Sequence, residues 1–97
     1  NKGICIKQAC NQSYATDAQA IGIFCQICDS QDIPYQRYVN RSDVIGGGTM
    51  GSLVSRTIPV KTVDLGVPIL AMHSARELMG AKDIDALKNA VTAFFCL

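Results

Sequence analysis

The sequence predicts an α/β domain: a layer of three or four mostly parallel strands with helices packed on it. Two observations predict this. Short β-branched runs alternate along the chain with stretches whose apolar residues recur at helical spacing. Glycines, prolines and paired helix-start signals punctuate the boundaries between them. At 97 residues the chain is long enough for one small domain.

The elements follow in order. "GICIKQA", residues 3–9, is rich in apolar and β-branched residues and reads as a strand. "NQSYA" is a loop. Thr16 opens a helix, since Thr16 and Gln19 have capping-box spacing, and Ile21, Phe24, Cys25 and Cys28 form its apolar stripe. Pro34 ends that helix, and 35–40 is a second strand. "RSDVIGGG" is a glycine-rich loop and 50–57 a short helix. Residues 60–65 form a third strand that Gly66 and Pro68 break, and 69–72 is extended again. Ser74 and Glu77 make a second capping box that opens a turn of helix at "SARELM". Beyond Gly80, Asp83 or Asp85 starts the last helix, with Ile84, Leu87, Val91, Phe94 and Phe95 as its stripe. A parallel sheet needs both faces covered, and so few helices barely suffice.

Composition narrows the function. Hydrophobic residues make up 48% and charged residues 18%, few charges for a free-standing surface, so something else should cover part of this one. The net charge is +1 with no basic run, which argues against nucleic acid or an anionic membrane as partner. No stretch approaches the ~18 apolar residues of a membrane span, and no signal segment opens the chain. The first residue is Asn1 rather than Met, so the chain reads as a piece of a longer protein or a processed one. Its five cysteines are an odd number at spacings that match no disulfide framework, which fits reduced thiols in a cytoplasmic protein. Cys25 and Cys28 form a C-x-x-C inside a helical stripe and read as inert core thiols.

Residues 46–51, "GGGTMG", match G-x-G-x-x-G, and Asp64 follows at about the distance of the acidic residue in a dinucleotide fold. A nucleotide-binding module built on the Gly46–Gly51 loop is therefore an alternative. It requires a buried strand running straight into the first glycine, and the polar "NRSD" stands there instead. His73 is the only histidine. It follows an apolar extended run, where open α/β sheets hold ligands, and a neutral imidazole there could ligate a metal. Zinc needs about three or four ligands, so others must come from elsewhere. Asp64 is the nearest plausible carboxylate, with Asp43 and Glu77 as alternatives. Arg41 and Asp43 have the spacing of an ion pair bracing the glycine loop.

"NQSYATDAQA", "RSDVIGGGTMGSLVSR" and "VDLGVPILAMHSARE" together resemble the M18 family of metalloaminopeptidases, the aspartyl aminopeptidase type, in order through nearly the whole chain. That resemblance implies a partial α/β/α sandwich around a mixed sheet, with residues 1–97 as a C-terminal segment of a larger zinc-peptidase catalytic domain. It implies two co-catalytic zinc ions, with His73 of "LAMHS" ligating one. The other ligands and the general-base Glu lie upstream of Asn1 in the family, so no catalytic base is expected here, and the segment by itself should be inactive. Lys7 would pair with an acidic substrate side chain, and Tyr14 would steady the scissile carbonyl. Met72, Gly48 and Thr49 would line the same peptide-substrate pocket. The implied partners are the remainder of the catalytic domain and further copies in a twelve-subunit particle. Ser13 stands where the pattern "NQRYA" has Arg, and three glycines replace a more varied loop, which puts substrate preference in question.

Overall fold

The computed structural model describes the whole chain, residues 1–97. In chain order the elements are β1 (Ile4–Gln8), α1 (Ala18–Ser30), β2 (Tyr35–Val39), α2 (Met50–Thr57), β3 (Asp64–Gly66), β4 (Ile69–Leu70), β5 (Leu78–Met79) and α3 (Ala81–Phe95). The first three strands form one sheet in the order β2-β1-β3. β1 pairs parallel with β2 and antiparallel with β3, so the sheet is mixed, as the family resemblance implied. β4 and β5 make a separate antiparallel pair.

The alternation along β1 decides the layers. Ile4 and Ile6 are fully buried and meet Ile21, Phe24 and Cys28 of α1 and Ala86 and Ala90 of α3. Register partners across a sheet share a face. Tyr35, opposite Ile4, and Leu65, opposite Ile6, accordingly pack against the same core. Both long helices lie on this face. The opposite face carries Cys5 and Lys7 with their β2 partners Gln36 and Tyr38, and no long helix covers it. Within residues 1–97 the third helix, α2, buries none of its residues.

Several boundaries differ from expectation, each for a local reason. The cap of α1 is Asp17, not Thr16: Asp17 Oδ1 accepts from the Ala20 amide at 2.8 Å. The Thr16 hydroxyl is engaged elsewhere, accepting from the Asp64 amide at 2.9 Å. α1 ends at Ser30, ahead of Pro34, because Asp32 adopts a left-handed turn conformation (φ 53°) and the Ile33 amide returns to the Cys28 carbonyl. β3 covers only Asp64–Gly66, since the residues before it leave the sheet and the Thr62 carbonyl accepts from the Asp17 amide.

"SARELM" forms no helix. Glu77 accepts from the His73 amide and Ser74 Oγ from the Arg76 amide, which closes a turn, and Leu78–Met79 then pair with β4. α3 begins at Ala81, and its inward face is Asp83, Ala86 and Ala90 rather than the expected stripe. Ile84, Val91, Phe94 and Phe95 are exposed, and Leu87 is half-buried against the core. Small residues win the inward position because they let the helix approach β1 closely. Asp83 is 1% exposed and receives the Gly3 amide at 2.8 Å and the Asn1 nitrogen at 3.0 Å. Gly3 itself has φ 97°, and a Cβ there would lie 2.0 Å from the Pro34 carbonyl oxygen.

Candidate active site

The open face of the sheet holds the site. Lys7 is half-buried near the end of β1 and leans toward β3, where a Cβ at Gly66 would stand 2.9 Å from Lys7 Cε. Its ammonium lies 5.6 Å from the centre of the Tyr14 ring, within cation–π range. Its register partner is Asp64, yet no ion pair joins them. Asp64 Oδ2 instead accepts from the Ala15 amide and the Thr49 hydroxyl, both at 2.8 Å. Asp64 thereby ties the loop before α1, the start of α2 and β3 into one knot, and leaves Lys7 without a carboxylate.

The glycine loop reaches the same place from the other side. The Thr49 amide donates to the Ser13 carbonyl at 3.2 Å, so Ser13 contributes through its backbone. Gly48 sits against that carbonyl, with 3.6 Å to a Cβ placed there. A Cβ placed at Gly51 would stand 3.3 Å from Asp64 Oδ2. No strand runs into the glycines: β2 ends at Val39, and Asn40–Thr49 is irregular until α2 begins. The structural requirement of a nucleotide cradle is therefore unmet.

Met72 and His73 project from the exposed turn between β4 and β5. Ala71 (φ 57°) and His73 (φ 71°) both take left-handed conformations, which cost about 1–3 kcal/mol each and persist where surrounding contacts enforce them. Here the His73 amide is held by Glu77.

These segments enclose a cleft of about 450 Å³. All six residues expected at the site line it: Lys7, Tyr14, Gly48, Thr49, Met72 and His73. Asp64, the carboxylate expected nearest His73, does not line it. Asp43 is engaged with Arg41 in a two-point ion pair, Nε–Oδ1 3.0 Å and Nη2–Oδ2 2.5 Å, as its spacing suggested. That pair is exposed and worth under about 1 kcal/mol. Sequence reading missed Cys5, Tyr38 and Asn40 in the lining. The available signal was strand parity: Cys5 is two residues from Lys7, and Tyr38 is its partner on β2.

Two thiols are held in their protonated form by burial. Burial, followed by the nearby Asp83 charge, pushes the Cys5 thiol up, so it stays protonated in the cleft. Burial pushes Cys28 up to about 11. The Tyr35 hydroxyl is raised to about 12, first by its hydrogen bond with Cys25. All five cysteines are free.

A metal needs more than this chain offers. No group of three or more His, Cys, Asp or Glu side chains stands together. His73 is a single donor on an exposed turn, and zinc takes about three or four. Residues 1–97 do not by themselves hold the ion.

Comparison with known proteins fits this geometry. The profile of the aminopeptidase I zinc metalloprotease (M18) family matches residues 1–95. A probable M18 family aminopeptidase 2 from Ectopseudomonas mendocina is 43% identical over 95 residues, covering 98% of this chain and 22% of its own length. Another from Clostridium novyi is 47% identical over 83 residues, covering 86% of this chain and 19% of its own. A solved structure of the Ape4 and Nbr1 complex contains a chain that superposes with TM-score 0.95 at 37% identity, over 98% of this chain and 18% of that one. The chain belongs to the M18 aminopeptidase family. It spans about a fifth of the length of the curated relatives it matches. No helix is long and apolar enough to cross a membrane.

Proposed function

We propose that residues 1–97 form the substrate-binding, C-terminal segment of the catalytic domain of a metal-dependent aminopeptidase, which releases the N-terminal residue of peptides. The supporting observation is convergence: six residues from four separate stretches line one cleft, and a half-buried Lys7 lies there with no carboxylate partner. In this reading Lys7 accepts an acidic side chain of the substrate's first residue. The Tyr14 ring holds the ammonium in place while its hydroxyl donates to the scissile carbonyl, whose oxygen gains charge during attack. Met72 and the Gly48–Thr49 backbone wall the pocket.

His73 is one ligand of a zinc site with two co-catalytic ions, completed by parts of the protein outside 1–97. Zinc in that complete site supplies the activated water. The segment by itself hydrolyses nothing, because it carries one donor and no assigned base. The whole enzyme works in the cytoplasm, in keeping with its free thiols, and assembles into the twelve-subunit particle that its family resemblance implies.

The test is the complete enzyme with aspartyl, glutamyl and alanyl peptide substrates, before and after chelation. Zinc-restored release of the first residue is the expected result. Activity that survives exhaustive chelation would refute the reading.

A further inference from the structure

The glycine loop stands against the cleft through one contact that the proposed chemistry does not use. Asn40 follows β2 directly and lines the cleft beside Tyr38. The Tyr38 hydroxyl donates to Asn40 Oδ1 at 2.5 Å, which fixes the direction of the side-chain amide. The other end of that amide, Nδ2, abuts Gly46: a Cβ there would fall 2.1 Å from Nδ2 and 3.2 Å from Cγ. Gly46 has no left-handed φ, so its backbone tolerates a side chain, and only Asn40 forbids one. Gly47, by contrast, has open space around it. The contact is thus specific to one glycine of three. The loop has two anchors, the Thr49–Ser13 and Thr49–Asp64 bonds at one end and the Asn40 contact at the other. Between them Val44 and Ile45 are exposed.

We infer that Asn40, aimed by the Tyr38 hydroxyl, is a positioning residue that seats Gly46 and so sets where the Gly46–Thr49 wall of the cleft stands. The inference rests on the aminopeptidase reading, since the wall matters only if a substrate occupies the cleft. Tyr38 is the register neighbour of Lys7, so this brace shapes the pocket next to the ammonium. Asn40 touches no reacting atom. Its effect falls on substrate fit, which raises KM and leaves kcat within about twofold.

The complete enzyme decides it by a double-mutant cycle with an acidic substrate. Gly46→Ala forces Asn40 aside and raises KM by roughly tenfold, while Asn40→Ala and Tyr38→Phe raise it by about two- to fivefold, the range of one lost hydrogen bond. Combining Gly46→Ala with Asn40→Ala removes the clash and returns KM to the level of Asn40→Ala alone. Adding Tyr38→Phe to Asn40→Ala changes nothing further. An unchanged KM in Gly46→Ala, or additive losses in either pair, overturns the inference. A fall in kcat with no change in KM does the same. Activity of the unmutated enzyme that survives exhaustive chelation is a separate outcome, and it overturns the aminopeptidase reading on which the brace depends.

Discussion

Lys7 and His73 carry the sharpest predictions at the scale of single residues, because each supplies a different chemistry to one cleft. In the complete enzyme, Lys7→Met should lower kcat/KM for an acidic first residue by about 10- to 100-fold, the worth of a charge-assisted hydrogen bond, and spare a neutral one. Equal loss on both substrates would show that Lys7 does not read the side chain. His73→Ala should abolish activity and reduce bound zinc, measured by elemental analysis of dialysed protein. Full zinc content in that variant would remove His73 from the ligand set. His73 stood out in the sequence as the one histidine after an apolar run, and Lys7 only through the M18 resemblance; both line the cleft. The role of Asp64 was not legible there. Its carboxylate suits a metal as well as it suits an amide, and only the fold shows Ala15 and Thr49 claiming it.

At the scale of elements, Asp83 joins the start of β1 to the first turn of α3. The hydrogen bond from the Gly3 amide holds its carboxyl below the usual carboxylate value of 3.8. A group whose pKa is lower folded than unfolded binds its proton more tightly in the unfolded chain. Its contribution is therefore whole above the unfolded value and is lost as pH falls through the folded one. Acidification below about pH 4 should weaken the protein, and Asp83→Asn should flatten that part of the melting-temperature profile. A profile unchanged by the substitution would show that Asp83 adds nothing to acid sensitivity. Gly3→Ala is the companion test, since a Cβ meets the Pro34 carbonyl in a left-handed backbone. It should cost on the order of 3 kcal/mol in denaturant unfolding. The sequence pointed to α3 by periodicity but to the wrong face. Its large apolar residues do form a stripe, yet contact with β1 selects Ala86 and Ala90, whose small side chains allow close approach.

The whole molecule presents one covered sheet face and one open one. Ile84, Phe94 and Phe95 on α3, Met50 and Leu53 on α2, and Ile58 just after α2 leave large apolar area in solvent. Large exposed apolar patches drive association. Residues 1–97 expressed alone should bind an apolar fluorescent dye and self-associate, and changing Phe94 and Phe95 to serine should reduce both. A monodisperse monomer by light scattering, dark to the dye, would contradict this. The low charge content anticipated such a surface, but not its location on α2 and the outer side of α3.

What the sequence by itself determined is local: the strand and helix segments, the capping and turn chemistry near their ends, and the motifs that mark the M18 family. Those signals lie within a few residues of one another, where propensity and periodicity operate. Tertiary structure decided the rest. It made the sheet mixed by pairing β3 antiparallel with β1, turned the expected helix at "SARELM" into half of a hairpin, and spent Asp64 on loop amides. It also set Tyr38 and Asn40 beside Lys7, where no motif placed them. In each case a backbone or side-chain group had two acceptable local partners, and a residue distant in the chain determined which one it took.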